Sequence, residues 1–162
     1  MFPPRLTELA AVVLNEAKSK GLRIATAESC TGGLIAGLLT EIPGSSDVVD
    51  RGFVTYSNEA KADLLGIPMA LIQENGAVSE AVARAMAEGA VQHSLAQLAV
   101  SVTGVAGPGG GTADKPVGLV HMAATLEGGP TLHEEHRFGD IGRGMVRLKT
   151  VEAALRLLLK LL

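Results

Sequence analysis

Aromatic residues and cysteine are scarce in this chain of 162 residues. Aromatic side chains make up 2% of it and tryptophan is absent, so the core must consist of closely packed aliphatic side chains. The single cysteine, Cys30, excludes an internal disulfide and fits a reducing compartment, which predicts a cytoplasmic location. The length predicts one domain, residues 1–162, large enough to fold without disulfides.

Clustered positive charge and long apolar runs are also missing. The net charge is −3, from 14 Lys and Arg against 17 Asp and Glu. This balance argues against nucleic acid as the main partner, since neutralising phosphates needs clustered basic residues. No run reaches the ~18 apolar residues of a membrane-spanning helix, and the N-terminus does not resemble a signal peptide. The leucine-rich segment 155–162 predicts a helix with a broad apolar face and a homodimer.

The order of hydrophobic patterns predicts an α/β protein. Helical periodicity and flanking capping residues alternate with short β-branched or apolar runs. This alternation predicts a single three-layer αβα domain with a mixed β-sheet. Predicted helices cover residues 6–20, 34–42, 58–65, 79–94 and 142–161, and predicted strands cover residues 22–27, 52–57, 98–103, 118–126 and 131–138. Asn58 is the predicted N-cap of the helix that carries Lys61.

The turn at residues 28–33 joins a predicted strand to a predicted helix and has two interpretations. It is either a tight turn with a Ser or Thr cap, or a cradle of backbone amides for an anion or a carbonyl group. In the second interpretation the hydroxyls of Ser29 and Thr31 also contact the ligand. Gly32 and Gly33 would then allow a ligand to approach the backbone closely.

A glycine run at residues 104–111 follows the buried strand that ends at Thr103. It lacks the Gly-Lys-Ser/Thr of a Walker loop and the spacing of a dinucleotide fingerprint. A flexible loop is one interpretation, but its position after a buried strand favours ligand contact, including Gly104 and Gly107. Arg143, which lies between two glycines before the last helix, is a candidate for binding an anionic ligand.

Tyr56 and Lys61 lie on one short segment, with Ser46 and Ser29 upstream. A serine hydroxyl is a weak nucleophile and needs a base, and no histidine is near in sequence. A lysine is the obvious substitute, but it must be neutral, so its pKa must fall by several units. The alternative is an ordinary solvated helix lysine beside Glu59.

The other candidates for chemistry have simpler interpretations. The four histidines form no zinc-binding pattern with each other or with cysteine, so we expect them to be surface or structural residues. Cys30 is expected to be a small buried hydrophobic residue rather than a nucleophile.

Four segments, 26–33, 52–61, 76–79 and 104–110, strongly resemble the C-terminal domain of CinA and its stand-alone form, the bacterial nicotinamide mononucleotide deamidases (PncC). The resemblance extends over about residues 6–161. It implies hydrolysis of the carboxamide of nicotinamide mononucleotide, which yields nicotinic acid mononucleotide and ammonia in pyridine nucleotide recycling. It also implies that neither a metal nor another cofactor is needed.

The resemblance further implies roles for individual residues. Lys61 matches the general base of the family and Tyr56 its catalytic tyrosine. Ser46 matches the nucleophile, and Ser29 is the alternative for that role. The other active-site positions of the family correspond to Ser29, Thr103 and Arg143.

Two alternative functions stay open at this point. One is a nucleotide-binding or interaction module without catalysis, connected with competence or DNA damage as the family name suggests. The other is amide hydrolysis on a different pyridine nucleotide.

Overall fold

The chain forms five strands and six α-helices in a computed structural model, which describes residues 1–162. A short 3-10 helix, Ser45–Asp47, precedes the second strand. The elements are α1 Pro4–Ser19, β1 Ile24–Glu28, α2 Leu34–Glu41, β2 Val49–Val54, α3 Asn58–Leu65, α4 Met69–Asn75, α5 Glu80–Gln92, β3 Leu98–Gly104, β4 Leu119–Leu126, β5 Thr131–Arg137 and α6 Arg143–Leu159.

The strands form one mixed sheet in the order β2-β1-β3-β4-β5. β1 runs parallel to both β2 and β3, while β4 and β5 are antiparallel to their neighbours. In this register Glu28 is level with Val54 on one side and Val102 on the other. The segments that follow β1, β2 and β3 therefore all leave the sheet at the same edge.

Helices cover both faces of the sheet, which confirms the predicted three-layer arrangement. α1, α2 and α6 pack on one face against side chains such as Ile24 and Val100. α3, α4 and α5 pack on the other face, where the strands present small side chains such as Ala25 and Ala99. Alternation along the strands produces these two distinct faces. None of the six helices is long and apolar enough to cross a membrane.

The segment between β2 and α3 differs in detail from the prediction. β2 ends at Val54, so Tyr56 lies after the strand rather than within it. Ser57, and not Asn58, caps α3: its Oγ accepts a hydrogen bond from the backbone N–H of Ala60 at 3.0 Å. The side chain of Asn58 is thereby left free of a capping role. The sequence also gave no indication of α4, which follows Pro68.

Candidate active site

Lys61 and Ser29 are in contact just beyond the carboxyl ends of β1 and β2. Lys61 lies on the inner face of α3 and is 1% exposed. Its Nζ atom donates to the backbone oxygen of Thr55 at 2.8 Å and lies 3.0 Å from Ser29 Oγ. Neither partner carries a charge, so nothing in this contact compensates for an ammonium ion.

Burial lowers the pKa of Lys61 below its ordinary value of 10.5, because desolvation disfavours the charged form. An ionised Cys30 nearby would oppose this effect, but burial raises the pKa of that thiol to about 12, so it stays neutral at neutral pH. The two contacts suit a neutral amine. A neutral amine keeps an N–H for the Thr55 oxygen and has a lone pair that can receive the Ser29 hydroxyl proton at the same 3.0 Å contact.

The turn after β1 is organised around the buried carboxylate of Glu28. This group accepts hydrogen bonds from Thr31 Oγ1 at 2.6 Å, from the Ile35 amide at 2.8 Å and from the Ala36 amide at 3.0 Å. Its negative charge thus sits at the N-terminus of α2, where the helix dipole favours it. The sequence analysis left the N-terminus of α2 open to an external anion, but in the structure the Glu28 carboxylate of the chain itself binds there.

The cradle interpretation of residues 28–33 is therefore corrected. The hydroxyl of Thr31 is fully buried and bonded to Glu28. Neither Thr31, Gly32 nor Gly33 lines the pocket described below. Of the residues predicted in this turn, only Ser29 faces the pocket.

Arg143 and Tyr56 meet at the mouth of the site. Arg143 is the first residue of α6, and its guanidinium donates to the Gly107 oxygen at 2.9 Å and to the Tyr56 hydroxyl at 3.0 Å. Both acceptors are neutral, so the positive charge remains available to an anion. Tyr56 is 63% exposed, and its hydroxyl forms no hydrogen bond with Ser29 or Lys61.

These side chains line one pocket of about 220 Å³. Six of the predicted site residues reach it: Ser29, Tyr56, Lys61, Thr103, Gly104 and Arg143. Gly107 lies beside it and contributes its carbonyl oxygen to Arg143. The remaining lining residues are Cys30, Asn58, Ala77, Val78 and Ala106.

Ser46 is not part of this pocket. It is exposed in the 3-10 helix before β2, close to the ion pair between Lys18 and Asp47. β2 then runs six residues toward the site, a span of roughly 20 Å at the rise of an extended strand. Ser46 therefore lies at the opposite edge of the sheet from Lys61, which corrects its assignment as the nucleophile.

The glycine loop after β3 is tied to β4. The Val105 amide donates to the Leu119 oxygen at 2.9 Å, and the Gly118 amide donates to the Val105 oxygen at 2.8 Å. A Cβ atom on Gly104 would lie 2.8 Å from that same Leu119 oxygen, so the close strand contact requires glycine. Ligand binding by this loop stays a prediction.

The sequence analysis missed a polar residue that lines the pocket, Asn58, and an arginine that supports the turn beside it, Arg147. Asn58 was expected to be a helix cap, but its side chain lines the pocket. Arg147 donates to the backbone oxygens of Cys30 and Thr31 from the opposite side of the β1–α2 turn. Its spacing of four residues from Arg143 on a helix was the available signal, because such residues share one face.

The histidines lie outside the pocket. His121 on β4 and His133 on β5 stack, and their facing ring nitrogens are 2.9 Å apart. No group of three or more His, Cys, Asp or Glu side chains is arranged to hold a metal ion.

A family model described as the CinA C-terminal domain matches residues 6–162. The chain belongs to the CinA family. The crystal structure of the competence/damage inducible protein CihA from Agrobacterium tumefaciens is 56% identical, with a TM-score of 0.98, and the match covers 99% of this chain and 98% of that one. A CinA superfamily protein from Escherichia coli is 31% identical, with a TM-score of 0.92, over 100% of this chain and 94% of the other.

Curated relatives named CinA-like protein are longer than this chain. The one from Anaeromyxobacter sp. is 48% identical over 98% of this chain but over 38% of its own length. The one from Syntrophobacter fumaroxidans is 47% identical over 95% of this chain and 36% of its own length. The chain thus spans less than two fifths of these relatives.

Proposed function

We propose that this domain is an amidase that hydrolyses the carboxamide of nicotinamide mononucleotide to nicotinic acid mononucleotide and ammonia. The observation that carries the proposal is the contact between Lys61 and Ser29. A buried amine with no counter-charge lies 3.0 Å from a hydroxyl that faces a pocket. A Ser–Lys pair of this kind supplies both a nucleophile and the base that activates it.

The first half of the reaction forms an acyl-enzyme. Neutral Lys61 takes the proton of Ser29 Oγ, and the oxygen attacks the carboxamide carbon to form a tetrahedral oxyanion. The backbone N–H of Cys30, next to the nucleophile, has no backbone acceptor and is suited to stabilise that oxyanion. The Lys61 ammonium then gives its proton to the leaving nitrogen, and ammonia departs as the C–N bond breaks.

The second half of the reaction regenerates the enzyme. Lys61, neutral again, takes a proton from a water molecule, whose oxygen attacks the ester carbon. The C–O bond to Ser29 breaks, and the proton returns from Lys61 to Ser29 Oγ. The product is the free carboxylic acid, and no metal enters either half.

The pocket suits a pyridine mononucleotide in its chemistry. Ala77, Val78 and Ala106 offer apolar surface to a flat ring beside the reactive pair. Arg143 at the mouth, bonded only to neutral groups, is the candidate for binding the 5′-phosphate, and Tyr56 beside it is placed to contact the same group or to help the oxyanion.

A module that only binds nucleotides gives no reason to bury Lys61 in this way. Burying an amine without a counter-charge costs stability, and such costs concentrate at catalytic sites. This argument favours catalysis over the interaction-module alternative. Homodimer formation and cytoplasmic location stay predictions from the sequence.

Ammonia release tests the proposal, with Ser29→Ala and Ser46→Ala as a matched pair of variants. Nicotinamide mononucleotide, nicotinamide riboside and NAD serve as substrates for each protein. We expect release from the mononucleotide by the wild type and Ser46→Ala, and loss by Ser29→Ala. Wild-type protein that releases no ammonia from the mononucleotide contradicts the substrate. An active Ser29→Ala variant contradicts the nucleophile.

A further inference from the structure

Arg147 of α6 holds the turn that carries Ser29 without entering the pocket. Its Nε donates to the Cys30 oxygen at 3.1 Å, and its Nη2 donates to the Thr31 oxygen at 3.0 Å. The planar guanidinium thus binds two consecutive carbonyls with two of its fixed donors, a geometry that a lysine ammonium does not reproduce. Arg147 is not among the residues that line the pocket.

Glu28 holds the same turn from the inside. Its carboxylate binds Thr31 Oγ1 and the first amides of α2, while Arg147 binds the turn's carbonyls from the outside. The guanidinium packs closely over Gly32, where a Cβ atom would lie 3.3 Å from Arg147 Nη2. The turn is therefore fixed by a buried anion on one side and a cation on the other.

The fixed carbonyls also fix the neighbouring amides. Because a peptide unit is planar, the direction of the Cys30 carbonyl sets the direction of the Thr31 N–H, and the orientation of the turn sets that of the Cys30 N–H. Neither of these two N–H groups donates to a backbone carbonyl. Of the two, the Cys30 N–H directly follows Ser29 and belongs to a residue that lines the pocket, so it is the donor placed where a developing oxyanion needs stabilisation.

We propose that Arg147 is a positioning residue, which orients Ser29 and the amides after it for attack on a carbonyl group. The inference rests on the part of the proposed function that makes Ser29 the nucleophile, and not on the identity of the substrate. A displacement of about 1 Å in such a turn is enough to cost about 100-fold in rate.

The test measures the reactivity of Ser29 itself in the full chain. Wild type, Arg147→Ala, Arg147→Lys and Arg156→Ala are incubated with a small fluorophosphonate, and labelling of Ser29 is followed by mass spectrometry. Arg156 is the matched control, because it lies on the same helix and pairs only with Glu152. All rates are measured well below the melting temperature of each variant.

We expect Arg147→Ala to be labelled about 100-fold more slowly than wild type. Arg147→Lys should be slower than wild type as well, because one ammonium cannot hold both carbonyls in the same geometry. Arg156→Ala should match wild type. Guanidinium ion at a concentration far below denaturing levels should speed the labelling of Arg147→Ala and leave wild type unchanged, a rescue that a merely structural role does not produce.

Wild-type rates in both Arg147 variants, even with lowered melting temperatures, overturn the proposal. If Arg147→Ala does not fold, a wild-type rate in Arg147→Lys overturns it equally. Wild-type protein whose Ser29 is not labelled at all also overturns it, since there is then no nucleophile to orient. Labelled wild type that releases no ammonia from nicotinamide mononucleotide instead contradicts only the substrate.

Discussion

The turn after β1 and helix α3 each bury one ionisable side chain near the pocket, and the two side chains have opposite kinds of hydrogen-bond environment. In the turn after β1, Glu28 accepts three short hydrogen bonds from Thr31 and from the start of α2. In α3, Lys61 contacts only a carbonyl oxygen and a hydroxyl. A buried carboxylate with this many donors holds structure together, whereas a buried amine without a counter-charge is driven to release its proton.

The difference assigns a structural role to Glu28 and a reactive role to Lys61. Glu28 fixes the backbone from which Ser29 projects, and Lys61 is the group able to deprotonate it. Replacing each one should therefore have a different dominant effect, on folding for Glu28 and on catalysis for Lys61.

Removing the amine should have the largest effect on activity. Lys61→Met should lower kcat by about 10²–10⁴-fold, the usual contribution of a general base. Its melting temperature should stay equal to or above that of wild type, because methionine fills the site without a charge to desolvate. Ammonia release and thermal unfolding measure both quantities.

The exposed Lys149 on α6 supplies the control, as Lys149→Met. It should keep wild-type activity. A Lys61→Met protein that loses several kcal/mol of stability would contradict the contrast with Glu28.

Removing the carboxylate should mainly affect stability. Glu28→Ala leaves Thr31 Oγ1 and the Ile35 and Ala36 amides without their acceptor, and a buried donor left unsatisfied typically costs about 1–3 kcal/mol. Urea unfolding should show a free energy of unfolding that is lower by at least this amount, whereas Glu41→Ala, at an exposed position of α2, should leave it unchanged. Unfolding free energies within about 0.5 kcal/mol of wild type, the range of ordinary surface substitutions, would show that the carboxylate does not hold the turn.

Arg143→Ala tests phosphate binding by the arginine of α6 that forms no hydrogen bond with the β1–α2 turn. Loss of a charge-assisted hydrogen bond of about 1.5–3 kcal/mol should raise KM for the mononucleotide about 10- to 100-fold, with a smaller change in kcat. Nicotinamide riboside, which lacks the phosphate, should be affected far less. An equal change for both substrates would remove Arg143 from the phosphate site.

The pH dependence should carry the smallest but most specific signature. Because the pKa of Lys61 is lowered from 10.5, kcat/KM should rise with pH through the folded pKa, which lies below 10.5. Between the folded pKa and 10.5 the unfolded chain binds more protons at this lysine, so its contribution to the free energy of unfolding increases with pH in that window.

Cys30→Ala is the control for this profile. The pKa of Cys30 is raised to about 12, so its removal should leave the rise in kcat/KM in place. If the rise of kcat/KM with pH shifts or disappears in Cys30→Ala, the titrating group is the thiol and not Lys61.

The sequence indicated the layers of the fold and most of the pocket, because both follow from local patterns. Apolar periodicity predicted five of the six helices, and the buried strand before Thr103 predicted where a ligand loop would start. The resemblance pointed to Ser46 as the nucleophile with Ser29 as the alternative, and no local pattern in the sequence distinguishes the two, whereas the structure places Ser29 beside Lys61. Only the parallel pairing of β1 with β2 brings Ser29 to the lysine.

The turn after β1 could not be interpreted from sequence for a related reason. A helix start with small residues looks the same whether its anion comes from a ligand or from the chain. Glu28 reaches the Ile35 and Ala36 amides over seven and eight residues, a spacing that matches no standard capping pattern. The contact from Arg147 comes from the last helix, 117 residues away, and leaves no local pattern at all.

The most direct test of the account is the pKa of Lys61 in the folded protein. Nitrogen-15 NMR of labelled lysine side chains follows this amine through a pH titration, and the signal missing from Lys61→Met assigns it. The account predicts a pKa well below 10.5, with the amine neutral in a substantial fraction of molecules at the pH of activity. A pKa at or above 10.5 would leave an ammonium ion beside Ser29, unable to take its proton, and would contradict the central claim.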